Sequence, residues 1–182
     1  LIGPGYLLNS NPQTQVNTDY SATVGVLTFY AAGAAGSKVH GLITSTIYMG
    51  VDNLLISRCY IQNYLYLGNN TTGNIDGMAL RQCYMVYSAA TNQVAIRNNS
   101  GTGLVTNMEI TNNVINLAGF ASPISLDNRV SGILKNNVIF SYYSTGIQNF
   151  YVLNNIAYSS GGTANSFNNC VLEYNTGTNN NL

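Results

Sequence analysis

Charge is nearly missing from this 182-residue chain: six Lys and Arg, six Asp and Glu and one His leave 7% charged residues and no net charge, where a soluble domain usually carries about a quarter. Duplex binding needs clustered cations to neutralise phosphates, so nucleic acid is not expected as a partner. Cysteine is scarce, and Cys59, Cys83 and Cys170 form no spaced set with His40 of the kind that holds zinc. No metal and no cofactor are expected. No apolar run approaches the roughly 18 residues that cross a bilayer, and no basic-then-apolar leader opens the chain, so membrane insertion of this segment is not expected. Sustained three-four apolar periodicity is also lacking, while Val, Ile, Thr, Tyr and Asn dominate and Gly recurs, which disfavours helix. What remains is an ordinary apolar content, enough for one folded domain over 1–182, with solubility resting on amides and hydroxyls.

Within this neutral chain a short pattern recurs: Ile110-Thr111-Asn112-Asn113-Val114-Ile115, Leu134-Lys135-Asn136-Asn137-Val138-Ile139 and Val152-Leu153-Asn154-Asn155-Ile156-Ala157. An apolar residue, a variable one, an Asn pair and a return to apolar residues describe a strand-turn-strand corner repeated in a stacked solenoid. Taking the apolar residue as an anchor extends the series to Val39, Ile56, Leu80, Ile110, Leu134, Val152 and Leu172, spaced 17 to 30 residues apart. Such variation fits constant strands with variable loops. Leu1-Ile2-Gly3 resembles Val39-His40-Gly41, which predicts an earlier rung with a long excursion around 9–21.

A second strand is expected between corners at Ile47-Tyr48-Met49, Leu65-Tyr66-Leu67, Val94-Ala95-Ile96 and Ile124-Ser125-Leu126, where residues alternate with a period of two. A second turn is expected at Asp52-Asn53, Asp127-Asn128, Gln148-Asn149 and Asn168-Asn169, residues that bond to nearby backbone and tolerate left-handed geometry. The fold expected is all-β, a parallel coil of about eight rungs, about 34 Å tall at the usual strand spacing.

The apolar-x-Asn-Asn-x-apolar corner resembles the right-handed parallel β-helix repeat of pectate-lyase-like proteins over most of residues 38–178. The opening Ile2-Gly3-Pro4-Gly5-Tyr6 is similar to early rungs of secreted bacterial members. The resemblance implies an extracellular or bacterial cell-surface location. It does not select among lyases, hydrolases, tailspikes, adhesins and structural solenoids, which share the fold.

Stacking turns equivalent positions into columns. Asn113, Asn137, Asn155 and Asn175 are expected to form a buried amide ladder, with Cys59 and Cys83 in the same column on consecutive rungs. Free stacked thiols are expected there, a disulfide needing local adjustment. Cys170 reads as a small apolar filler. The residue after each anchor should face outward, giving His40, Ser57, Arg81, Thr111, Lys135, Leu153 and Glu173. His40, Arg81 and Lys135 are then about 10 Å apart in succession, too far to act on one bond. Asn112, Asn136 and Asn154 beside Val114, Val138 and Ile156 make an amide stripe next to an apolar one.

Calcium-assisted lyase chemistry needs an acidic cluster beside a basic residue. Arg58 or Arg81 would serve as the base, but Asp52 and Asp76 read as turn residues and no cluster accompanies them. Hydrolysis needs two carboxyls roughly 5 to 9.5 Å apart, whereas Asp52 and Asp127 are expected roughly 14 Å apart along the stack. No catalytic residue is therefore assigned within this segment. Tyr60 and Tyr84 should stack outward beside Arg58, Arg81 and Gln82, either as a sugar-binding platform or as an aromatic ladder that steadies the sheet. The reading favoured is an adhesin-like scaffold that binds glycan or a surface protein through Arg58, Tyr60, Arg81, Gln82 and Tyr84. The alternatives are a polysaccharide lyase or glycoside hydrolase completed outside the segment, and a fibre or tailspike shaft. Without capping helices, the end rungs are expected to meet further rungs or a partner.

Overall fold

The structure, a computed structural model, describes Leu1 and residues 22–68, 73–87, 93–98, 103–117, 121–141, 145–159 and 166–177. Short strands alternate with sharp corners, and the strands pair in parallel from one turn of the coil to the next. One sheet stacks Lys38–His40, Leu55–Ser57, Ala79–Arg81, Val105–Thr111, Val130–Lys135, Phe150–Leu153 and Val171–Glu173 in chain order, with Ile75–Asp76 also pairing to Val105–Thr111. All seven anchors stand in direct register on this face: Val39 with Ile56, Ile56 with Leu80, and so on to Leu172.

The second sheet has 13 strands and folds into two faces that diverge from one long strand, Ile43–Met49. The first half of that strand pairs with Tyr60–Ile61 and its second half with Leu65–Leu67. One face continues through Tyr84–Tyr87, Val114–Leu117, Val138–Ser141, Ile156–Ser159 and Thr176–Gly177; we call it the corner face. The third face continues through Gln93–Asn98, Ala121–Ser125, Gly146–Gln148 and Ser166–Asn168, while Thr23–Phe29 lies against Ile43–Met49. The chain is thus a parallel β-solenoid of about six turns rather than the eight rungs expected. Of the expected first rung only Leu1 is described: its amino group donates to Lys38 O at 2.9 Å and its carbonyl accepts from His40 N at 3.0 Å, opposite Val39. The excursion at 9–21 lies outside the described residues.

The alternation seen in the sequence sorts side chains to the two sides of each face. Ile56, Leu80, Ile110, Leu134 and Val152 meet Ile61, Met85, Ile115 and Ile139, together with Ile47, Leu65, Ile96 and Ile124, in one continuous apolar core. Burial of about 25 cal/mol per Å² of apolar surface makes this core the main stabilising term. No helix among the described residues is long and apolar enough to cross a membrane.

Two columns of left-handed residues bend the chain. Three positions before the anchors stand Gly36, Asn53, Gly77, Asn107, Asn149 and Asn169, and two positions after them Gly41, Arg58, Gln82, Asn112, Asn136, Asn154 and Tyr174, all at positive φ. Asn and Gly suit such sites because a short polar side chain, or none, lowers the steric cost. The expected Asp127-Asn128 turn departs from this pattern, since Asn128 is not among the residues at positive φ. Asp127 instead accepts the Arg129 backbone N–H at 3.0 Å, and the pairing of Val105–Thr111 with Val130–Lys135 slips by one residue between Val105 and Met108.

Candidate functional site

The first corner carries the ladder. Asn113 N and Nδ2 both donate to Asn137 Oδ1, at 2.9 and 3.0 Å; Asn137 does the same to Asn155, and Asn155 to Asn175. Each Nδ2 also reaches the carbonyl of the anchor one rung back, as Asn137 does to Ile110 O at 2.8 Å. The amides thereby satisfy one another in a water-poor interior where an orphan polar group would cost about 1–3 kcal/mol. Cys83 N donates to Asn113 Oδ1 at 2.9 Å and Cys59 N to Cys83 Sγ at 3.5 Å, so the thiols continue the same column. Both are free and buried. Burial pushes the Cys83 thiol well above its usual pKa, and the neighbouring Cys59 sulfur adds to the effect. Cys170 closes the opposite corner, half-buried against the core, its thiol on Asn168 O at 3.3 Å.

Outside this corner lie the candidate binding residues. Arg58 and Gln82 hold the left-handed position on consecutive rungs, with φ of 51° and 55°, and Arg58 Nε donates to Gln82 Oε1 at 3.2 Å. Two positions on, Tyr60 and Tyr84 are in register and their rings stack at 5.5 Å with 22° between planes. Arg81 is on the anchor face across the corner, ion-paired with Glu109. The patch therefore divides: four residues share a ridge, and the fifth is engaged by a carboxylate. The ridge continues as an exposed amide line in which Asn136 Nδ2 donates to Asn112 Oδ1 at 3.2 Å and Asn154 Nδ2 to Asn136 Oδ1 at 2.9 Å.

The anchor face carries the residues considered for chemistry, and among the described residues their geometry is that of structural pairs. Ser57 and Thr111, expected outward, are buried. Thr111 Oγ1 donates to Glu109 Oε1 at 2.7 Å. Burial raises the Glu109 pKa, but Arg81 and the Thr111 hydroxyl outweigh it and hold the carboxyl below its usual range. Ser57 Oγ is 2.8 Å from His40 Nδ1 and 3.4 Å from Nε2. Such similar distances put the oxygen beside the ring or over it, off the Nδ1 lone pair, so His40 is not aimed to take the serine proton. Asp52 Oδ1 accepts Asp76 N at 2.8 Å, and Asp76 Oδ1 accepts Thr106 Oγ1 at 2.6 Å and Asn107 Nδ2 at 2.7 Å. These carboxylates tie turns together. Among the described residues no group of three or more His, Cys, Asp or Glu is placed to hold a metal ion.

The corner face also carries apolar side chains on its outer side, beside the exposed Asn116. Val114, Phe140, Ile156 and Tyr158 are each at least 39% exposed, and Phe140 packs its ring against Tyr158 at 6.5 Å. On the third face the structure reveals a stack the sequence reading missed. Tyr48 and Tyr66 are in register with rings 4.9 Å apart and 13° from parallel, and the Arg97 guanidinium carbon is 4.4 Å from the Tyr66 ring centroid. The signal was present in the alternating triplets Ile47-Tyr48-Met49 and Leu65-Tyr66-Leu67, whose central residues point outward. The chain matches no protein-family model, no curated protein and no solved structure.

Proposed function

We propose that this solenoid is a non-enzymatic binding scaffold that presents its Arg58, Gln82, Tyr60 and Tyr84 ridge to glycan. The observation that carries this reading is the placement of Arg58 and Gln82 at positive φ. A left-handed non-glycine residue costs roughly 1–2 kcal/mol, and of the equivalent corners Gly41, Asn112, Asn136 and Asn154 meet the demand at lower cost, Tyr174 near the end of the described coil being the other costly residue. Strain retained beside stacked aromatics points to use of the side chains. Ring edges, amides and a guanidinium offer the apolar contact and the directed hydrogen bonds that sugar hydroxyls and ring carbons need. Arg81, across the corner and paired with Glu109, is left outside the ridge. The right-handed sense of the coil, its pectate-lyase-like relation and an extracellular or cell-surface setting belong to the same reading and rest on the Asn-Asn corner.

A glycan-array screen of the intact protein, with mass spectrometry on each glycan that binds, tests it. The expected result is binding without cleavage, weakened at least tenfold in a Tyr60→Ala, Tyr84→Ala double variant. Cleaved product would transfer the protein to the lyase or hydrolase class. A protein partner is the second reading, favoured by the exposed apolar line of Val114, Phe140, Ile156 and Tyr158. Loss of capture of a cell-surface protein in a Phe140→Ser variant, with glycan binding absent, would select it.

A further inference from the structure

The stack on the third face ends abruptly, and its last member is a cation. Tyr30 tilts onto Tyr48 at 6.0 Å, Tyr48 stacks on Tyr66, Tyr64 packs against Tyr66 at 5.5 Å, and Arg97 lies over the far side of Tyr66 with Nη2 donating to the Tyr66 hydroxyl. On the next rung the register partner of Arg97 is the exposed Ser125, and beyond it stands Gly146, where an added Cβ would meet nothing within 4 Å. Among the described residues, one guanidinium face is therefore covered by a ring, and the other looks over a low ledge. Arg81 and Arg129 each pair with a carboxylate; Arg97 forms no ion pair among the described residues.

We propose that Arg97, held on Tyr66, is a subsite for an acidic group of a saccharide, a carboxylate or a sulfate. The proposal rests on the glycan reading above and adds the charge of the ligand. Among the described residues the Tyr66 hydroxyl engages one guanidinium edge, and the remaining N–H donors suit the two oxygens of an oxyanion in bidentate fashion. Stacking on Tyr66 has already ordered the side chain, which lowers the entropy lost when a ligand binds. The chain has no net charge and hence no long-range field for a polyanion. Recognition would act on a single acidic group at short range, with the sugar ring resting over Ser125.

The test is calorimetric titration of the intact protein with three matched disaccharides: a neutral one, its uronate form and its O-sulfated form. The expected result is at least tenfold tighter binding of one acidic form, the two acidic arms telling which group is read. Arg97→Gln should abolish that preference while neutral binding at the Tyr60 and Tyr84 ridge persists, and Ser125→Tyr, which fills the ledge where the sugar would rest, should abolish the acid preference as well. Both positions point outward, and an unchanged unfolding midpoint verifies that each variant is folded. Equal affinity for acidic and neutral forms, or an acid preference that survives in Arg97→Gln, overturns the proposal while the Tyr60 and Tyr84 site stands. Failure of every saccharide to bind overturns both.

Discussion

The Cys83 sulfur stands where Asn113 places its amide one rung later: Cys83 Sγ accepts the N–H of the preceding rung at 3.5 Å, as Asn113 Oδ1 does at 2.9 Å. A thiol and an amide thus fill one slot of a single column, the thiol with the weaker acceptor. The same pattern of side chain to neighbouring N–H then runs unbroken to Asn175.

Removing one ladder amide should be costly. Asn137→Ala deletes the acceptor of both Asn113 donors and leaves them buried, so a loss of about 2–4 kcal/mol is expected in urea unfolding. Asn136→Gly, one residue earlier at φ 55°, should change stability little, because glycine takes that conformation freely. Equal effects of the two substitutions would remove the ladder from the stability account.

Thiol chemistry should distinguish the cysteines. Cys59 and Cys83 are buried and Cys170 is half-buried; burial raises the thiol of Cys170 as well as that of Cys83, so access rather than acidity sets the order of reaction. A thiol reagent at pH 8 should label Cys170 first and reach all three only in denaturant. Rapid native labelling of Cys59 or Cys83 would contradict the closed corner.

Gly132 and Gly146 should respond in opposite ways to alanine. A Cβ on Gly132 would come within 1.9 Å of Met108 O, where the register slips, while one on Gly146 meets open space. Gly132→Ala should cost roughly 2 kcal/mol or more, and Gly146→Ala should be neutral or stabilise by about 0.5 kcal/mol through the unfolded chain. Thermal unfolding of the two variants reads the difference.

Acid should weaken the Asp127 turn. Hydrogen bonding from the Arg129 guanidinium holds the Asp127 carboxyl at about 2 against burial, below the value it has in an unfolded chain. A depressed folded-state pKa contributes stability above the unfolded value and loses it as pH falls towards about 2. The Asp127 side chain is 41% exposed, so screening keeps the contribution small. Asp127→Asn should lower the melting temperature slightly at pH 7 and leave it unchanged near pH 2, followed by circular dichroism.

Restoring an unstrained corner tests the ridge directly. Replacing Gln82 by Gly relieves a left-handed residue and should stabilise the protein by about 1 kcal/mol, while weakening glycan binding through loss of the Arg58 partner. A gain in stability with unchanged binding would leave the side chain without a ligand role.

The anchors Val39 to Leu172, the left-handed turns at Asn53, Asn149 and Asn169 and the placement of Tyr60 beside Tyr84 were legible in the residue pattern, since each repeats locally. Their spacing varies from 17 to 30 residues, yet the corner chemistry marks each rung. The Arg97 contact was not legible. Arg97 and Tyr66 are 31 residues apart and meet only because Ile96 pairs with Leu65 on the third face. The burial of Ser57 and Thr111 was likewise hidden.

By itself the sequence determined that this chain winds as a parallel coil, because a corner of apolar, left-handed and amide residues is a local instruction and stacking satisfies its buried amides. Only the tertiary structure decided which cations remain available. Register on the anchor face brings Arg81 to Glu109, and register on the third face lays Arg97 on Tyr66 with short side chains beyond it. Side chains on adjacent rungs meet at about 4.8 Å whatever their separation along the chain, so the neighbours of a surface residue are set by strand pairing.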